Sequence, residues 1–163
     1  METIFHRTSV RKFLEKPVEV KKIEKLLRAA MAAPSAGNQQ PWEYFVVTNQ
    51  EKLKELSQCS PYASCVQDAP LAIVACSRCQ TKLPEYIDID MAIATENILL
   101  EADALGLGAV MLGIAPIKER INQVNCILNL QDLNAFAIIA CGYPVSLHPQ
   151  QDRFDETRVH HIK

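Results

Sequence analysis

Two apolar runs, Leu71-Ala-Ile-Val-Ala-Cys76 and Ala135-Phe-Ala-Ile-Ile-Ala-Cys141, flank a long segment, Asp88-Ile-Asp-Met-Ala-Ile-Ala-Thr-Glu-Asn-Ile-Leu-Leu-Glu-Ala-Asp-Ala-Leu105. The short runs have the length and composition of fully buried strands, and the long segment is a helix with apolar contact on most sides. Gly106-Leu-Gly108 stops that helix, and Gly142-Tyr143-Pro144 stops the second run. Upstream, Val20, Ile23, Leu26, Leu27, Ala30 and Met31 recur at helical spacing within Val18–Ala33. Pro34, Gly37 and Pro41 break that pattern, and Trp42–Thr48 reads as a further strand from its aromatic and β-branched residues. Asn49 suits an N-cap for a helix over Gln50–Cys59, and Pro116 suits a place at or near the first turn of a helix over Ile117–Leu128. At least three strands alternating with helices define a layered domain of both element types, and the pairing direction stays open at this level.

The chain has 163 residues, 48% apolar and 22% charged, with a net charge of -2. That is one domain's worth of sequence, expected to fold as a single unit over 1–163 without a disulfide or metal staple. The charge balance lacks the basic excess that nucleic-acid binding needs. The longest uncharged apolar stretch, Ala104–Ile117, is too short to cross a membrane. METIFHRTSVRKF has no apolar core before a cleavage site, so no secretory signal is expected. The six cysteines are therefore expected to be free thiols in a reducing, cytoplasmic setting. Cys76-Ser-Arg-Cys79 is a lone C-x-x-C without the second pair or the histidines of a zinc site, and no metal is expected.

Several catalytic signatures are missing. Gly106-Leu-Gly108-Ala-Val-Met111 follows a helix and has Met at the third glycine position, which is the wrong context for a dinucleotide turn. P-loop, zinc-protease and nucleophile-elbow patterns do not occur, and the four histidines lie near the two ends of the chain. Two segments remain. Arg7-Thr-Ser9-Val-Arg11 places two guanidiniums and two hydroxyls close together, a donor set suited to phosphate oxygens; taken alone, it reads rather as a solvated basic turn. Pro34-Ser-Ala-Gly-Asn38-Gln-Gln40-Pro41-Trp42 is a stiff loop rich in hydrogen-bonding groups after a helix, and alone it reads as an ordinary connection.

In order, R-x-S-x-R, P-S-x-x-N-x-Q-P-W, Asn97-x-Leu99 with Gly106-Leu-Gly108 and Gly113, then G-Y-P and Arg153-Phe-Asp-Glu resemble the FMN-dependent nitroreductase family in its short single-domain form, over nearly the whole chain. The resemblance implies an α+β fold with a mostly antiparallel central sheet flanked by helices, a homodimer with FMN at the interface, and a C-terminal arm, Val145–Lys163, wrapping the partner. It implies a site in which Arg7 holds the phosphate or ribityl end of FMN and Ser9 adds a hydrogen bond. Arg11 reaches the pyrimidine edge of the ring. Pro34, Ser35 and Asn38 come from the partner chain, Leu112 and Gly113 back the ring, and Arg153 is a second phosphate ligand. The implied activity takes hydride from NAD(P)H and passes it to a nitroaromatic, a quinone or a similar small acceptor in a ping-pong cycle, without a catalytic side chain. A flavin store or sensor without turnover is the alternative. Met111 stands where relatives often carry an aromatic residue, and His-His-Ile-Lys ends the chain in place of a terminal Trp. The segment between Cys76 and Asp90 is short where larger relatives place helices over the substrate.

Overall fold

The computed structural model describes residues 3–146, 149–150 and 152–162. The helices are α1 (Thr3–His6), α2 (Val20–Met31), α3 (Gln50–Leu56), α4 (Ile87–Ala104) and α5 (Lys118–Leu128). The strands are β1 (Trp42–Val47), β2 (Leu71–Arg78), β3 (Gly108–Gly113) and β4 (Leu133–Gly142). They form one sheet in the order β1-β2-β4-β3, antiparallel at every pairing. The fold is thus α+β, a four-stranded antiparallel sheet between helical layers.

The register explains the apolar runs. β2 and β4 are the inner strands, buried on both faces, so polar alternation disappears from them. One face, with Val74, Cys76, Val110, Leu112, Ile138 and Ala140, packs on Leu53 and Leu56 of α3 and Val124 of α5. The other, with Ile73, Ala75, Ala109, Ala137, Ile139 and Cys141, packs on Leu26 and Ala30 of α2 and on Met91, Ala94, Ile98 and Ala102 of α4.

Most expected elements appear within a few residues of their expected bounds. Asn49 caps α3, its side chain accepting the Lys52 N–H at 3.0 Å, and Gly106 ends α4 at φ +70°. Three details differ. β3 is a fourth strand that the glycines at both ends of a short apolar stretch had concealed. Pro116 lies ahead of α5, in a cis bond after Ala115, and Ile117 is the N-cap. α4 is bare on one side, with Ile89 and Ile93 exposed by 54% and 37%. In the C-terminal arm, Leu147, His148, Gln151 and Lys163 lie outside the described residues; the rest is exposed apart from a half-buried Asp155, with one 3-10 turn at Glu156–Arg158.

Candidate functional site

The residues singled out in the sequence fall into two groups, at the two ends of α4. The first group rides on the segment after α1. His6 Nδ1 pairs with Asp103 Oδ1 at 2.8 Å, and Arg7 Nε lies 3.3 Å from Glu96 Oε1, so α4 holds the start of this segment with two side chains. Ser9 then bridges Ala109 in parallel, and the Val10 N–H donates to the Ala109 carbonyl at 3.0 Å. The approach is close: a Cβ on Gly108 would lie 2.7 Å from the Val10 side chain. Only glycine lets the segment seat there.

Further on, the Leu14 N–H donates to the Tyr143 carbonyl at 2.8 Å, and Phe13 bridges Pro144. The Tyr143 hydroxyl donates to the Glu19 carboxylate at 2.7 and 2.8 Å and holds its pKa below the usual value. The Lys16 ammonium lies 3.9 Å from the Tyr143 ring centre. Arg7 is thus half-buried with Nε engaged, while Ser9 and Arg11 face solvent.

The second group is the loop after α2. Gly37, Asn38 and Gln40 take positive φ of 54°, 53° and 47° in close succession. Such a path is costly for Asn and Gln unless its surroundings fix it. They do. Asp90, 2% exposed in the first turn of α4, accepts the Ala36 N–H on Oδ1 at 2.9 Å and the Gln39 side-chain amide on Oδ2 at 2.7 Å. Gln39 Nε2 also donates to the Leu83 carbonyl at 3.0 Å, and its Oε1 accepts the Leu83 N–H at 3.0 Å. Ser35 Oγ accepts the Gln40 N–H at 3.0 Å, and Arg78 donates to the carbonyls of Gln39 and Gln40. Asn38 and Pro34 are exposed on the outside of this loop.

Between the two groups runs the outer edge of β3. Because the Ala109 carbonyl faces outward to Val10, strand alternation turns the backbone groups of Met111 and Gly113 outward as well. No strand covers them among the described residues. The Gly113 carbonyl accepts from Arg120 Nη1 at 3.2 Å. A Cβ on Gly113 would meet only the Ala115 carbonyl, at 3.8 Å, so the edge is sterically open there. Leu112 is buried, its side chain in the core, and its backbone groups turn toward β4. Arg153 lies exposed on the C-terminal arm.

Among the described residues no hydrogen bond or ion pair joins the two groups. Asp90 and the pair Glu96/Asp103 are six and thirteen residues apart on a straight helix, or about 9 and 20 Å along its axis. Sequence reasoning did not count Gly108, Gln39, Met111 or Arg120 among the site residues, although Gly108 and Met111 were named in the family pattern. Gly108 carried a legible signal, a glycine with no turn to make. The others act through backbone direction or long-range contact, which a linear reading does not hold. Cys76 and Cys79 do not cooperate: Cys76 is buried, with its thiol pushed up to about 12 by desolvation, and Cys79 is exposed. Among the described residues no three His, Cys, Asp or Glu side chains converge as metal ligands would.

The architecture is an antiparallel α+β sheet with an open edge, a cationic segment toward one end of α4 and an amide-rich loop at the other. The sequence profile of the nitroreductase family matches residues 4–60 and 58–143. A Clostridium acetobutylicum chain provisionally named an NADH oxidase superposes with a TM-score of 0.96 at 49% identity, covering 99% of both chains. An FMN-dependent nitroreductase of Clostridium difficile R20291 superposes with a TM-score of 0.89 at 28% identity, covering 99% of this chain and 98% of its own. A Methanothermobacter thermautotrophicus protein provisionally named an NADH dehydrogenase/NAD(P)H nitroreductase is 38% identical over 162 residues, 98% of this chain and 85% of its own. The chain belongs to the nitroreductase family, a family of oxidoreductase enzymes.

Proposed function

We propose that the protein is a homodimeric flavin oxidoreductase, a single FMN-binding domain over residues 1–163, with each FMN along the outer edge of β3 and shared by two copies of the chain. The observation that carries this reading is the placement of two complementary half-sites at opposite ends of α4, with an uncovered strand edge between them. A two-fold axis across α4 sets the 34–38 loop of one chain beside the Arg7 segment of the other, which a monomer does not do.

The donor chemistry fits the cofactor. A phosphate monoester carries about -1.5 to -2 charges near neutral pH, and Arg7, half-buried with Nε 3.3 Å from Glu96 Oε1, supplies a guanidinium for it. Arg153 on the arm adds a second cation, Ser9 a hydroxyl, and Arg11 a cation for the pyrimidine edge of the ring, where positive charge favours the reduced anionic flavin. The outward groups of Met111 and Gly113 meet the hydrogen-bonding edge of a flat ring. Leu112 contributes through its neighbours, not through its own groups. Pro34, Ser35 and Asn38 close the site from the partner chain. The chemistry FMN supplies when bound is two-electron transfer at N5, from NADH or NADPH and then to a nitroaromatic or quinone acceptor, in ping-pong order. The residues named here bind and orient, and solvent exchanges the protons.

The surface supports the dimer. Ile89 and Ile93 of α4 and Met111 of β3 are exposed. Covering such side chains is worth about 1.5–3 kcal/mol each when complete. The arm exposes Phe154 by 78% and Ile162 by 99%, side chains that a partner's surface would cover. All six cysteines are free thiols, which persist in the reducing cytoplasm where we place the enzyme.

Anaerobic titration of the purified protein with NADH and with NADPH, followed in the visible spectrum, tests this reading. Flavin absorbance that bleaches with either nicotinamide and returns with a quinone supports it. A yellow protein that neither nicotinamide bleaches is a flavin store. A colourless protein that takes up no FMN rules the reading out.

A further inference from the structure

Asp90 and Gln39 form a bracket of four hydrogen bonds with Ala36 and Leu83. Asp90 is 2% exposed, and both of its carboxylate oxygens accept hydrogen bonds from the loop after α2. A buried carboxylate is expensive unless it is bonded this way. The bonds do not brace the core; they fix a surface loop on an unfavourable backbone path. Gln39 cannot turn over, because its Oε1 must face the Leu83 N–H and its Nε2 the Leu83 carbonyl. It therefore presents only donors to Asp90. Ala36 presents only a donor as well. The position needs two acceptors, and a carboxylate is the side chain of this size that has them.

We propose that Asp90 is a positioning residue for the flavin site: through Ala36 and Gln39 it holds residues 34–40 in the conformation that presents Ser35 and Asn38 to the cofactor in the other copy. The inference rests on the shared-site reading above. It adds a residue that does not touch the cofactor and that acts from one protomer on the affinity of its partner.

Asp90→Asn preserves shape but breaks one of the two bonds whichever way the amide turns. FMN titration of the apoprotein dimer by quenching of flavin fluorescence gives the readout, with dimer mass and melting temperature measured alongside. Asp90→Asn is expected to weaken FMN about tenfold, the equivalent of one net buried hydrogen bond to a charged group. Asn38→Ala is expected to weaken it by a similar factor. The double variant is expected to bind no worse than the weaker single one, because a loosened loop no longer delivers Asn38. Native affinity in Asp90→Asn overturns the proposal, and so do losses that multiply in the double variant, the mark of a merely structural role. If Asp90→Asn does not fold, Gln39→Ala replaces it: a comparable loss supports the bracket and native affinity overturns it. Native affinity in Asn38→Ala overturns the shared site itself, whatever Asp90 does.

Discussion

The two ends of α4 hold their surface segments by opposite means. At the C-terminal end, the segment carrying Arg7, Ser9 and Arg11 is stitched by backbone contacts to β3 and to Tyr143, and its charged groups face solvent or exposed partners. At the N-terminal end, the loop carrying Ser35 and Asn38 presents neutral groups outward and is braced from beneath by a buried carboxylate. The difference follows from what each end offers a ligand. Charge works best where it can be presented directly and is already well solvated in the free protein. Neutral amides need a rigid mount, because each of their bonds is weak and any mobility is lost on binding.

The charged end is expected to dominate affinity. Arg7→Ala should weaken FMN about 100-fold, near the upper range for one charge-assisted hydrogen-bonding group. Circular dichroism should be unchanged, since among the described residues the Arg7 side chain pairs with the exposed Glu96 alone. The weakening should shrink as salt rises. Unchanged affinity in an FMN titration would remove the contrast between the ends.

Gly108→Ala attacks the stitching instead of the charge. Its new Cβ would sit 2.7 Å from three carbons of Val10, so the segment must move off β3. Overpacking of this kind costs about 1–3 kcal/mol, and the FMN dissociation constant should rise about tenfold as Arg7 and Ser9 shift together. Thermal melts of the apoprotein and FMN titration check both parts. A lower melting temperature with native FMN affinity would show that the segment's seating and the ligand site are separate matters.

Beneath both ends the sheet is equally dry. Cys76 and Cys141 are each pushed from the ordinary 9.0 up to about 12 by burial. Below pH 9 these thiols are protonated in the folded and the unfolded chain alike. Between pH 9 and 12 the unfolded chain loses protons that the folded chain keeps, so stability falls as pH rises through that window. Urea unfolding at pH 8 and pH 10.5 should show the decline, and Cys76→Ala with Cys141→Ala should flatten it. A slope unchanged by the double variant would place its origin in other groups.

Three of the four strands, the four longer helices and the cationic segment were legible because each rests on local pattern: continuous apolar runs, helical spacing, Arg and Ser at short intervals. β3 was not, since a six-residue strand between glycines has no period long enough to read. The bare side of α4 was hidden for a related reason. Ile89 and Ile93 look like core residues in sequence, and only the packed fold shows that nothing in the same chain covers them. Asn97 was visible in the Asn97-x-Leu99 pattern, and Asp90 only as a residue of the long helix. Yet Asp90's partner Ala36 is 54 residues away and Asn97's partner Ala29 is 68 away, and such contacts leave no trace in a linear pattern. The division of Leu112 from Met111 and Gly113 required the direction of a single carbonyl, that of Ala109.

Midway between the two ends, Thr95 gives the smallest effect and the cleanest control. It is fully buried on the sheet side of α4, and its hydroxyl has no hydrogen-bond partner among the described residues. An unsatisfied buried hydroxyl costs about 1–3 kcal/mol, and Val has nearly the same shape with no hydroxyl to desolvate. Thr95→Val should therefore stabilise the apoprotein by about 1 kcal/mol, or about 2–4 °C in melting temperature for a chain of this size. Neither end of the helix should respond: FMN affinity should stay within about twofold, as expected for independent sites that share no partner. A fall in melting temperature would mean that the hydroxyl is satisfied in the assembled protein. A change in FMN affinity at unchanged stability would mean that α4 transmits strain between its ends, and the two half-sites would then be coupled through the helix as well as across the dimer.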